Sequence, residues 1–139
     1  MTLHYLIDTD WVAHYFKGRP NTVARLQALR GQGLGISVVT LAELYDGVYG
    51  AQDPDAKEQI LTKFLEWVTI VELDTDIANL FGKERHRLRQ AGNLIGDMDL
   101  LIGVTAVQHN VTLLTNNRRH FARITGIQIE SLPAESSQS

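Results

Sequence analysis

Four acids stand just beyond short apolar runs. Asp8 follows Tyr5-Leu6-Ile7, Glu43 lies one turn past Ile36-Ser37-Val38-Val39, and Asp97 and Asp99 flank Met98 immediately before Leu100. Carboxylates packed together raise one another's pKa unless a cation is present. The chain has no cysteine, which removes a thiolate zinc site, a cysteine nucleophile and a disulfide framework together. No histidines are spaced for zinc, so hard oxygen ligands for Mg²⁺ or Mn²⁺ are the chemistry these residue types suit. Each acid also has a plain structural use. Asp8 or Asp10 fits the N-cap of a helix through Trp11, Val12, Tyr15 and Phe16. Thr40-Leu41-Ala42-Glu43 fits a capping box, Asp97 or Asp99 fits a cap, and Asn116-Asn117 fits a turn. Capping alone does not explain why acids of three separate segments all fall at strand ends.

The elements that would carry them are legible as alternating periods. Short β-rich runs at Leu3–Ile7, Gly35–Val39, Val68–Val71, Val111–Leu114 and Ile127–Ile129 are separated by helix-period segments. Leu41, Leu44, Tyr45, Val48 and Tyr49 share a helix face; Asp53-Pro54 starts the next, with Ile60, Leu61, Phe64, Leu65 and Val68 as its apolar side. Ile77, Leu80, Phe81, Leu88 and Ala91 line a third, stopped by Gly92, and Asp99 to Gln108 is apolar almost all round. Strand and helix in alternation mean an α/β fold, a parallel sheet of about five strands with helices on both faces. In such sheets ligands bind beyond the carboxyl ends of the strands, where these acids lie.

At 139 residues, 44% hydrophobic and 21% charged, the chain reads as one domain over residues 1–132 with a small polar tail at 133–139. The amino terminus has no basic leader region, and the longest mainly apolar stretch, Leu100 to Val107, is too short to cross a bilayer. A soluble, cytoplasmic protein without a membrane partner is expected. The formal net charge of −3 argues against nucleic acid at first sight. Taking Asp8, Glu43, Asp97 and Asp99 out of that −3 leaves the remainder at +1. The acidity is then largely a metal pocket, and Lys83, Arg85, Arg87, Arg89, Arg118, Arg119 and Arg123 become candidate phosphate contacts, the pair at 118–119 foremost.

Across nearly its whole length the sequence resembles the PIN-domain family, in particular the VapC-type toxins of toxin-antitoxin pairs. The blocks that carry this are Tyr5-Leu-Ile-Asp-Thr-Asp10, Ser37-Val-Val-Thr-Leu-Ala-Glu-Leu-Tyr-Asp-Gly47, Ile95-Gly-Asp-Met-Asp-Leu-Leu-Ile-Gly103 and Leu114-Thr-Asn-Asn-Arg-Arg-His-Phe121. The resemblance places Asp8, Glu43 and Asp99 at the family's three acid positions, with Asp97 an additional acid found in some relatives. It implies an endoribonuclease in which Asp8 and Asp99 hold Mg²⁺, or Mn²⁺ in its place, with Glu43 and Asp97 completing the catalytic set. Thr115, Asn116, Asn117, Arg118 and Arg119 form the secondary, substrate-facing segment. The chain departs from the family at Asn117, near which many PIN domains place a further Asp, and at Gly103, where Ala is common.

The resemblance also implies an RNA substrate, a homodimer and a small VapB-type antitoxin. The stripe Trp11, Val12, Tyr15 and Phe16 is the expected groove for that partner. Two other readings compete. Leu6-Ile-Asp-Thr-Asp10 mimics the strand and D-x-D of a haloacid-dehalogenase-like phosphatase with Asp8 as nucleophile. A catalytically silent PIN scaffold that only binds a partner is the third.

Overall fold

The computed structural model describes residues 2–133, so the expected tail, apart from Pro133, lies outside the described residues. Five strands, β1 (Tyr5–Ile7), β2 (Leu34–Ser37), β3 (Thr69–Val71), β4 (Thr112–Leu114) and β5 (Gln128–Glu130), form one sheet in the order β3-β2-β1-β4-β5. Every neighbouring pair is parallel. The strands are three or four residues long. Side chains of a strand alternate between faces, and both faces here are covered. Leu6 and Leu113 point into one core cluster, Ile7 and Leu114 into the other, and all four are fully buried. That is why these runs read as continuously apolar.

One face carries α1 (Thr9–Phe16), α2 (Pro20–Leu29), most of α3 (Val38–Tyr49) and α4 (Pro54–Leu65). The other carries α5 (Thr75–Gln90), α6 (Asp97–Gln108) and the single-turn α7 (Arg118–Phe121). Helix α6 lies against the sheet with Leu100, Ile102, Val104 and Ala106 fully buried, which accounts for its lack of a polar face. Gly103 on this helix is a close approach: a Cβ there would strike the Ile124 side chain and crowd Phe121. Its bare Cα lets α7 settle onto α6.

Several boundaries differ from the sequence expectation. The run Gly35–Val39 is cut at Ser37, whose hydroxyl accepts from the Val39 backbone N–H and starts α3. The N-cap of α3 is therefore Ser37, and Thr40, fully buried, lies inside the helix. The Thr40–Glu43 capping box does not form. Helix α2 was not anticipated; its apolar positions Leu26 and Leu29 are masked by arginine and asparagine around them, with only Pro20 at N1 as a start signal. The predicted starts at Asp53 and stop at Gly92 hold: Asp53 accepts from the Ala56 N–H, and Gly92 takes a φ of +71° just after the C-cap Ala91.

A buried acid outside the strand ends ties the far side together. Glu84 accepts from Arg87 and from the Thr125 backbone N–H, while Arg87 also reaches the Arg123 carbonyl. Arg123 in turn donates to the carbonyls of Asn93 and Leu94. Burial works to raise the Glu84 carboxyl, and the bonds from Arg87 and Thr125 overcome it and hold it below its ordinary value. This clamp fixes the segment after α7 against the loop that precedes α6. It also commits Arg87 and Arg123, which the sequence left as phosphate contacts.

Candidate active site

The strand order reverses between β1 and β4: chain continuity runs outward through β2 and β3 on one side, and through β5 on the other. The crevice beyond such a switch point is where this class of sheet binds ligands. Asp8 ends β1 and Thr115 ends β4, and the two meet there. The Asp8 backbone N–H donates to the Leu114 carbonyl at 2.9 Å, and the Thr115 hydroxyl donates to Asp8 Oδ2 at 2.7 Å. Asp8 Oδ1 accepts from the Thr9 N–H at 2.7 Å, so Asp8 also caps α1. The cap role and the site role fall on the same residue.

Asp8 is 4% exposed. Burial pushes its carboxyl up to about 7, the neighbouring Asp10 adds to the rise, and the bonds from Thr115 and Thr9 resist it. Asp10 leans over the carboxyl end of β4, where its Oδ2 accepts from the Asn116 backbone N–H at 3.1 Å. Its other oxygen, Oδ1, is buried without a hydrogen-bond partner. An orphaned carboxylate oxygen is costly in a protein interior, and a cation or its water shell would satisfy it.

Glu43 reaches the same crevice from α3. The Thr9 hydroxyl donates to Glu43 Oε1 at 2.6 Å and lies 3.1 Å from the Thr40 hydroxyl. Asp99 arrives from the first turn of α6, where acids also suit the helix dipole. Its carboxyl is raised, first by burial, then by Glu43 and Asp10, against the opposing pull of His120. Asp8, Asp10, Glu43 and Asp99 thus act on one another electrostatically, and no lysine or arginine among the described residues is paired with any of them. The donors are all hard oxygens. Among the described residues, no three acid or histidine side chains lie close enough to form a closed ligand set.

The structure does not bring Asp97 into this group. Its side chain, 61% exposed, pairs with Arg85 at 2.8 Å. Asp97 and Asp99 both lie in the first turn of α6, and Asp97, two residues before Asp99, faces another side of the helix. That pairing also accounts for Arg85. Of the secondary segment, Thr115 holds Asp8, and the Asn116 side chain accepts from the Trp11 indole and from the Leu132 N–H. The Asn117 amide meets His120 Nδ1 at 3.2 Å. Arg118 turns to the Ile129 carbonyl and the Ser131 hydroxyl, whereas Arg119 is exposed with no partner among the described residues.

The stripe expected as a partner groove is divided. Trp11 and Val12 are fully buried and belong to the core, correcting their placement in a groove. Tyr15 and Phe16 are partly buried and stack with Phe64. Phe16 does line an open groove of about 180 Å³ between α1, α3 and α4, together with Ala13, Lys17, Leu44, Lys57 and Leu61, and Thr9 and Glu43 also line it. Two site residues escaped the sequence reading: Asp10, assigned only a cap, and His120. The signal for Asp10 was its two-residue spacing from Asp8.

Residues 5–127 match the PIN domain family. The chain belongs to that family. This PIN domain is 32% identical over 126 residues to Ribonuclease VapC1 of Haemophilus influenzae (strain R2866), spanning 89% of this chain and 94% of that one. It is 37% identical over 119 residues to Ribonuclease VapC1 of Methanocaldococcus jannaschii, spanning 86% and 79%. Its fold superposes with a TM-score of 0.88 and 29% identity on a chain of the Rickettsia felis VapBC2 crystal structure, bound to a DNA fragment from its promoter, covering 94% of this chain and 100% of that chain. Among PIN domains it therefore groups with the VapC ribonucleases, and the family match sets the phosphatase alternative aside.

Proposed function

We propose that this PIN domain is a Mg²⁺-dependent endoribonuclease, with Mn²⁺ able to substitute, and the toxin of a toxin-antitoxin pair acting in the cytoplasm. The observation that carries the reading is the acid group at the β1/β4 switch point: the Asp8 and Asp99 carboxyls are raised by burial and by neighbouring acids, and no lysine or arginine among the described residues pairs with Asp8, Asp10, Glu43 or Asp99. The orphaned Asp10 oxygen and the all-oxygen donor set fit a hard divalent ion.

Asp8 and Asp99 are the residues that would hold the ion. When bound, it supplies a water of lowered pKa and charge stabilisation for the phosphate. Asp8 is aimed by Thr115 and Thr9 and is not free to swing away from the crevice. Glu43 has Oε1 fixed by Thr9, leaving Oε2 to take the proton of the attacking water. The water oxygen bonds to phosphorus as the P–O3′ bond breaks and the departing O3′ takes up a proton from solvent, leaving a 5′-phosphate and a 3′-hydroxyl. Cleavage of RNA by the purified protein in Mg²⁺, lost with EDTA and lost or altered in Ca²⁺, is the test.

The partner would be a small VapB-type antitoxin, supported by the VapBC complex that this chain resembles. Glu43 lines the same groove as Phe16, so a segment filling it with apolar side chains could bring a cation against the acids and neutralise them. Phe16→Ala is expected to weaken the complex more than it lowers stability. A homodimer is the expected assembly, tested by sedimentation of the purified chain.

A further inference from the structure

His120 stands at the edge of the acid group on α7, and nothing in the mechanism above uses it. Its Nδ1 lies 4.0 Å from Asp99 Oδ2, too far for a hydrogen bond, and 3.2 Å from the Asn117 amide nitrogen. An amide nitrogen only donates, so this contact is a hydrogen bond in the form whose Nδ1 accepts and whose Nε2 carries a proton. That Nε2–H has no partner among the described residues, on a side chain 46% exposed.

Its position is built rather than incidental. Phe121, the next residue, is fully buried and packs with Ile124 into the space that Gly103 leaves on α6, one turn beyond Asp99. Asn117, which orients the ring, is itself held by its backbone N–H donating to the Thr115 hydroxyl, the same hydroxyl that serves Asp8. The imidazole is thereby tied to the acid group from two directions while its donor faces outward.

We infer that His120 is a substrate-binding residue of this centre, its Nε2–H donating to a non-bridging phosphate oxygen of the RNA strand. The inference rests on the ribonuclease reading. A single N–H donor is well suited to this place, because a phosphate approaching four carboxylates needs hydrogen bonds to offset repulsion. A lysine or arginine here would instead pair with Asp99. The nearby Arg119, exposed and unpartnered, supplies the cationic contact. As a cation that neutralises a phosphate, Arg119 releases counterions, so its share is read from the salt dependence.

The test uses full-length protein silenced by Asp8→Asn and a fluorescein-labelled mixed-sequence RNA oligonucleotide, with Kd read by anisotropy over a range of KCl. Adding His120→Ala should weaken binding roughly tenfold, the size of one hydrogen bond to a charged oxygen. His120→Gln, whose amide returns a donor near Nε2, should restore most of the affinity. Arg119→Ala should lower the slope of log Kd against log salt by about one. Unchanged affinity in His120→Ala or failure of Gln to rescue would each overturn the inference. Cleavage by the wild type is measured in parallel. A wild type that cuts RNA while His120→Ala binds normally refutes only the role of His120, whereas a wild type that neither cuts nor binds RNA refutes the ribonuclease reading and this inference with it.

Discussion

The Thr9 hydroxyl donates to Glu43 Oε1 across 2.6 Å, joining the first turn of α1 to the second turn of α3. Thr9 is also the residue whose backbone N–H binds Asp8. One threonine therefore sets the separation of two acids that lie 35 positions apart in sequence. Glu43 is not a helix cap, since Ser37 fills that role. Glu43→Gln keeps an oxygen for Thr9 and should leave the melting temperature nearly unchanged while abolishing cleavage. Thr9→Val removes the donor, and kcat should fall with little change in KM, because the loss is one of alignment.

The raised Asp8 carboxyl predicts a pH dependence in the metal-free protein. Its folded value, about 7, lies above the ordinary 3.8, so the stabilisation is present at low pH and is lost as pH rises through 7. Asp99 is raised in the same direction. Without metal, thermal stability should fall between about pH 4 and pH 7 and level off above that, and Asp8→Asn should flatten that fall while raising stability at pH 8, by up to about 4 kcal/mol. Mn²⁺ must displace the proton to bind, and calorimetry should show tighter Mn²⁺ uptake at pH 8 than at pH 6. A silent scaffold would show no uptake dependent on Asp8 and Asp99.

Asp97 and Asp99 are expected to behave differently although they are two residues apart. Asp97 is exposed and engaged by Arg85. Asp97→Asn should retain most of the cleavage activity and cost no more than about 1 kcal/mol, the usual worth of an exposed ion pair. Asp99→Asn should abolish cleavage with the fold intact. Equal losses in the two variants would return Asp97 to the site.

Much of this was readable in the sequence because it depends on local pattern. The acids after Ile7 and before Leu100 announced themselves by following or preceding continuous apolar runs, and burial of both sheet faces is what makes such runs. Asp97 and Asp99 could not be separated that way, since which side of α6 each faces depends on how the helix docks on the sheet. Trp11 and Tyr15 share a helical stripe, yet only the packing of α2 and α4 determines that one is core and the other stands at the rim. His120 became visible only when α7 was placed against α6, an approach that rests on the absent Cβ of Gly103.

That close approach is itself testable. Gly103→Ala would force Ile124 and Phe121 outward and should cost about 1–3 kcal/mol, as overpacking does. Displacing α7 should also reduce cleavage, whereas Trp11→Ala should cost about 3–5 kcal/mol through a core cavity. Denaturant unfolding of both variants, alongside their cleavage rates, separates the two effects.

The central claim is that the acids at the β1/β4 switch point cut RNA with a divalent metal. Total RNA is incubated with purified wild type or Asp8→Asn, with Mg²⁺ or with EDTA, and the new 5′ ends are sequenced by ligation that requires a 5′-phosphate. Discrete 5′-phosphate ends should arise only from the wild type in Mg²⁺. Ends that persist in EDTA or in Asp8→Asn, or products bearing 2′,3′-cyclic phosphates, would contradict it.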